Sequence, residues 1–135
     1  MNIKIGFAAA AALAVAFATG IAVGQETAQT QNKGVTVGAP TTIDLAQEVD
    51  GVAGRQLRVR VVTVEPGGTV AIHNHKDRPA VAHLIQGTLT EKREGGFVHE
   101  HHTGDTWTET KEVTHWAENH GNDKAVLVVA DIFKP

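Results

Sequence analysis

The sequence predicts an all-β protein of one domain, an antiparallel sandwich or closed barrel, and three observations carry that reading. Short runs rich in Val, Ile and Thr follow one another from Val35 onward, separated by Gly, Pro, Asn and Asp. Helical periodicity is absent over any useful length. The 135 residues, part of them reading as an export signal, leave room for one core and no more.

The first 24 residues read as a secretory signal peptide: Lys4 supplies the positive start, Ile5 to Phe17 form an alanine-rich apolar stretch, and Ala22-Val23-Gly24 places small residues ahead of Gln25. An uncleaved membrane anchor is the alternative, because nothing between Ile5 and Gly24 is charged and that length just spans a bilayer. Alanine gives such a segment little insertion drive compared with Leu, Ile, Val and Phe, so cleavage after Gly24 is expected. Residues 25–34 then form a polar, flexible leader and residues 35–135 the β-barrel domain. No later segment is apolar for long enough to span a membrane, so a periplasmic or secreted protein without stable membrane insertion is expected.

Strands are expected at about Val35 to Val37, Thr41 to Leu45, Gln56 to Val64, Thr69 to His75, Val81 to Thr90, Phe97 to His102, Thr106 to Thr108, His115 to Glu118 and Ala125 to Phe133. Turns are expected at Pro66-Gly67-Gly68, Gly95-Gly96, Gly104-Asp105 and Gly121-Asn122-Asp123. The run Ala125-Val126-Leu127-Val128-Val129-Ala130 is apolar on both faces and belongs at the centre of a sheet.

Composition excludes several function classes. Loss of Lys4 with the signal takes the formal charge from −3 to −4, and the remaining Lys and Arg are scattered, which excludes a nucleic-acid stripe. There is no cysteine, so neither a disulfide nor a cysteine-linked lipid is available. No Ser/His/Asp spacing and no glycine-rich loop opening a helix appears, which leaves nucleophilic hydrolysis and nucleotide binding without support.

All eight histidines fall between His73 and His120. Side chains alternate along a strand, so His73 and His75 in His73-Asn74-His75 point the same way and can grip one ion. Gly67, five residues, His73-x-His75 and eleven residues to Gly87 resemble the first cupin motif, G-x5-H-x-H-x(3,4)-E-x6-G. Gly104, ten residues, His115, three residues and Asn119 resemble the second, G-x5-P-x-G-x2-H-x3-N.

This resemblance to the cupin superfamily covers roughly Val62 to Val129. It implies a double-stranded β-helix, the cupin jelly-roll barrel, in which His73, His75 and His115 converge on one divalent transition-metal ion: Fe, Mn, Ni, Cu or Zn. The family's glutamate ligand falls at Ala80, and its second-motif Pro and Gly fall at Thr110 and Glu112. The fourth ligand is therefore open between Asp77, His101 and a water or substrate beside Ala80, whose strand face Ala82, Leu84 and Gln86 would share. Asn119 is read as fixing backbone near the third histidine rather than as a ligand. Imidazole must be neutral to ligate, so metal affinity is expected to weaken as pH falls through about 6.5.

The functions the resemblance implies are a mononuclear metal-dependent dioxygenase acting on a small organic molecule, with isomerase or decarboxylase chemistry behind it, or a non-catalytic periplasmic module binding a metal or small ligand. No catalytic residue is singled out, and a homodimer is the assembly considered. Mass spectrometry of the native protein should find a mature chain starting near Gln25, whereas an intact Met1 in the membrane fraction would establish the anchor instead.

Overall fold

The structure, a computed structural model, describes residues 27–135, so the expected signal and cleavage site lie outside the described residues. Nine strands follow in order: β1 (Lys33–Val37), β2 (Thr41–Asp44), β3 (Gln56–Asn74), β4 (Ala80–Gln86), β5 (Thr88–Arg93), β6 (Phe97–His102), β7 (Thr106–Glu109), β8 (Thr114–Glu118) and β9 (Ala125–Phe133). Among the described residues the one helical element is a 3-10 turn at Leu45–Gln47, where the Asp44 carboxylate accepts from the Ala46 amide. The strands pair in the order β6-β5-β8-β3-β9-β4-β7, with β1 and β2 added along β3, and the sheet curls into the double-stranded β-helix that the sequence predicts. No helix among the described residues is long and apolar enough to cross a membrane.

The largest departure from expectation is β3. Pro66-Gly67-Gly68 reads as a chain reversal, yet the chain bends there without turning back, so Gln56 to Asn74 is one strand. Its first part, Gln56 to Val64, pairs antiparallel with β9, and its last part, from Thr69 to Asn74, pairs with β8. The bend requires close backbone approach. A Cβ on Gly68 would stand 2.7 Å from the Glu65 carbonyl oxygen and 2.9 Å from that of Lys33.

Asn119 fixes this corner to the end of β8. Its side-chain nitrogen donates to the carbonyls of Val64 (2.9 Å) and Asp123 (2.8 Å), and its side-chain oxygen accepts from the Gly121 amide (2.9 Å). Its backbone completes the clamp, donating to Gly68 and accepting from Gly67. The backbone-fixing role expected for this residue is thus seen in detail.

Two smaller differences concern boundaries. The expected run Val81 to Thr90 divides at Gly87, whose φ of 80° suits glycine and separates β4 from β5. β1 starts at Lys33, inside the expected leader, and the leader residues Gln29 and Asn32 accept hydrogen bonds from the amides of Ile72 and Ala71.

β9 lies between β3 and β4, the central place expected for it. Val64, Ala82, Leu84, Leu89, Ala117, Ala125, Leu127 and Val129 form the apolar core, each large side chain stabilising the fold by about 1.5–3 kcal/mol. The first part of β3 alternates against its own apolarity: Val59 and Val61 are 39% and 43% exposed, while Arg58 and Arg60 line the barrel's cavity. An Asn119→Ala protein loses three side-chain hydrogen bonds in a closed site and should be destabilised by about 2–4 kcal/mol, with a lowered Tm in thermal unfolding; an unchanged Tm contradicts the corner role.

Candidate metal centre

β3 and β8 bring two of the expected ligands together by register. His73 and His115 are direct partners in the ladder, and His75 follows the end of β3, its amide donating to the Val113 carbonyl. The Nε2 atom of His115 lies 3.0 Å from Nε2 of His75 and 3.1 Å from Nε2 of His73. All three imidazoles therefore meet at one point, as the motif spacing predicts.

The other ring nitrogens decide what these contacts are. Nδ1 of His73 donates to the Ala71 carbonyl (2.8 Å), Nδ1 of His75 to the Arg78 carbonyl (3.0 Å), and Nδ1 of His115 to the Glu91 carboxylate (2.9 Å). Because each partner accepts only, the ring proton belongs on Nδ1 in every case, and each Nε2 keeps its lone pair. Burial, opposed by these carbonyl bonds, lowers the pKa of His73 and His75 to about 4, so neither ring carries a second proton near neutrality. With the ring protons on Nδ1, the three Nε2 lone pairs are aimed at one another across these short contacts. Such a donor set suits a divalent cation: nitrogens ~2.1 Å from an ion and at right angles to one another stand ~3.0 Å apart.

A carboxylate joins them from a strand the motif does not mark. Glu109 Oε2 is 3.2 Å from His75 Nε2, and its Oε1 is 3.7 Å from His115 Nε2. Trp107 steadies this group, donating from Nε1 to Glu109 Oε1 at 3.2 Å. Glu109 is the direct ladder partner of Ala80, the position where the family motif has its glutamate. Ala80 is buried on the inward face as expected, together with Ala82 and Leu84, but a bulge between Leu84 and Gln86 turns Gln86 out to solvent. Sequence reasoning missed Glu109 because only the pairing of β4 with β7 reveals that it faces Ala80.

Behind His115 stands a second layer. Glu91 is 1% exposed and also binds Arg93 (Nε to Oε1, 2.7 Å) and His101 (Nε2 to Oε2, 3.0 Å). Burial raises its pKa, but the hydrogen bonds from His115, Arg93 and His101 together outweigh that effect and hold the carboxyl at about 2. An ionised carboxylate therefore orients the third imidazole, in the manner of ligand-supporting carboxylates at metal sites. His101 belongs to this layer, its ring stacked on Trp107 at 3.7 Å, and is not among the converging groups.

The remaining candidates lie elsewhere. Asp77 is exposed in the turn after His75 and is not among the groups that converge with the three histidines. His83 points outward onto Thr106, and His99, His102 and His120 are exposed. The expected weakening of metal binding near pH 6.5 shifts down for His73 and His75, because burial has already made those rings poor bases.

The histidines and Glu109 open on a cavity of about 470 Å³. Val35, Val37, Val62, Val70, Trp107 and Val129 are among the residues of its apolar wall. Arg58 and Arg60 also line it, and both bind the buried Asp131 carboxylate.

Comparison with curated proteins finds no match. Among solved structures, the chain resembles an uncharacterised conserved protein with a double-stranded β-helix domain from Klebsiella pneumoniae subsp. pneumoniae (TM-score 0.52, 23% identity, covering 58% of this chain and 67% of that one). It also resembles an oxalate oxidase (TM-score 0.53, 24% identity, covering 73% of this chain and 50% of that one). A predicted oxalate decarboxylase from Thermotoga maritima shares the fold too (TM-score 0.51, 16% identity, covering 70% of this chain and 91% of that one). The family model for the cupin domain matches residues 60–131, which contain all three converging histidines, Glu91 and Glu109, and the chain belongs to the cupin family.

Proposed function

We propose that this chain is an exported cupin that holds one divalent transition-metal ion on His73, His75, His115 and Glu109 and uses it on a small organic molecule, with dioxygenase chemistry foremost. The observation that carries the reading is the meeting of three Nε2 lone pairs, each fixed by an acceptor on the opposite side of its ring. Three imidazoles and one carboxylate suit Fe, Mn, Ni, Cu or Zn. An ion bound there supplies a Lewis acid and, if redox-active, an oxygen-activating centre.

The chain's own groups define the rest. Glu109 lowers the formal charge of the ligand set by one, so the site differs from the three-histidine centre expected from Ala80 alone. Glu91 holds the His115 ring in register and keeps its Nδ1 proton in place. The valines keep bulk water from much of the cavity wall.

One observation favours a non-catalytic metal- or ligand-binding module instead. Both carboxylates on the cavity wall are engaged, Glu91 by His115, Arg93 and His101 and Glu109 in the ligand set, and the buried Asp131 behind the wall is held by arginines. None is left as a general base. Oxygen consumption by the metal-loaded protein with small organic acids separates the two readings.

Replacing His115 by Ala should lower metal occupancy at least ~10-fold, and Glu109→Ala should weaken it in the same direction; full occupancy of either protein, measured by elemental analysis, contradicts the ligand set. In the metal-free protein, NMR titration of the histidine ring protons should find His73 and His75 still neutral at pH 5, and a midpoint near 6.5 for either ring contradicts their burial as neutral donors. The sign for stability follows. The unfolded chain takes up protons at these positions below its pKa of about 6.5 while the folded chain does not until about 4, so they destabilise the metal-free fold as pH falls through that window.

A further inference from the structure

The cavity contains a second polar feature besides the histidines. Arg58 and Arg60 alternate inward on β3 while Val59 and Val61 face out, an arrangement that places two guanidinium groups where an apolar barrel would place the valines. Both bind one carboxylate, Asp131, whose side chain is 1% exposed. Arg58 binds it through both Nε (2.9 Å) and Nη2 (2.7 Å) and also lies over the Phe133 ring at 3.9 Å. Arg58 thus gives Asp131 the bidentate edge of its guanidinium and rests the face on Phe133.

Arg60 is used differently. It gives Asp131 a single hydrogen bond, from Nη1 at 3.0 Å, while its side chain is only 14% exposed. A guanidinium has five N–H donors, so Arg60, which lines the cavity, gives Asp131 one of them and keeps four for other partners. Arg78 adds a third positive charge with Nε 3.9 Å from the same carboxylate. Three cations against one anion leave a formal excess of positive charge at this end of the chamber. The other nearby carboxylates do not cancel it, since Glu91 is matched by Arg93 and Glu109 sits among the histidines. Burial also depresses the Arg60 pKa, as expected of a guanidinium short of water.

We propose that Arg60 is an anion-recognition residue, binding the carboxylate of a small organic acid whose apolar body rests on the cavity valines. A guanidinium fork matches a planar carboxylate with two parallel hydrogen bonds, which a neutral amide cannot reproduce. The shared chamber then presents the rest of the molecule to the histidine centre, so the subsite deepens the reading under which that centre acts on a small organic molecule. Carboxylate capture at Arg60 itself needs no metal.

That independence sets the test. Calorimetric titration of the chelator-treated, metal-free protein with butanoate and with its neutral analogue butanamide should show butanoate binding at least ~10-fold more tightly, the scale of a charged hydrogen-bonded pair in a sheltered site. Arg60→Gln should abolish that preference, and Arg60→Lys should restore part of it. Because Arg58 still holds Asp131 in both ways, the variants keep the buried carboxylate paired, and unchanged metal content in Arg60→Gln shows that the histidine centre is intact. Equal binding of the two ligands, no butanoate binding at millimolar concentration, or an undiminished preference in Arg60→Gln would overturn the subsite. Each of those results leaves the metal reading standing, whereas loss of metal from His115→Ala is read separately by elemental analysis.

Discussion

The bend of β3 at Glu65 to Gly68 is the constraint on which the barrel depends. A 19-residue strand that ran straight would serve one sheet; bent, it gives its first part to β9 and its last part to β8. Both parts keep side chains pointing inward, so Arg58, Arg60, Val62 and His73 come from one strand yet line different parts of one chamber. Asn119 holds the corner through bonds on both sides of the bend, and it sits four residues after His115, directly beyond the strand that pairs with His73. The same buried amide thus ties the bend to the end of the strand that carries His115. Fold and site share that corner.

Within the chamber, the chemistry is fixed by hydrogen-bond acceptors outside the ligand set. Had any of the three Nδ1 atoms faced a donor, its ring would present an N–H to the centre and could not ligate. Two of the acceptors are backbone carbonyls at Ala71 and Arg78, so the tautomers of His73 and His75 follow from the path of β3 and the turn after it. The third is a side chain, and Glu91 needs Arg93 and His101 to remain an anion in a closed site. Tautomer control at His115 is therefore the part of the centre most open to substitution.

What the sequence makes legible divides along physical lines. Strand existence at Phe97–His102 and Ala125–Phe133 follows from local composition, and the shared face of His73 and His75 follows from spacing that a strand's two-residue period explains. Pairing is different. Glu91 reaches His115 because β5 lies beside β8, and Glu109 reaches His75 because β7 lies beside β4; neither adjacency is written in the spacing of residues along the chain. The corner at Pro66-Gly67-Gly68 misleads because a sharp bend and a reversal ask for the same residues. The inward place of Arg58 and Arg60 is not legible either, because alternation shows that two faces differ without saying which one is inside.

With Glu109 as a ligand in place of a glutamate at position 80, as proposed, pairing would conserve the site while its motif changes. The two positions face each other across the β4–β7 ladder, so a side chain from either can project toward the same volume. Alanine at 80 makes room, and glutamate at 109 fills it with the charge that the motif otherwise supplies from the opposite strand. The mechanical consequence is not the same. Position 80 lies on β4, which is held by β7 on one side and by β9 on the other, whereas β7 ends the strand order and has only β4 as its neighbour. A cation bound by Glu109 would tie this edge strand to β3 and β8, linking by coordination what the backbone ladder leaves apart. Trp107 of β7 stacks on His101 of β6, and His101 shares the Glu91 carboxylate with His115, so side chains already connect the edge strand to the layer behind the third histidine.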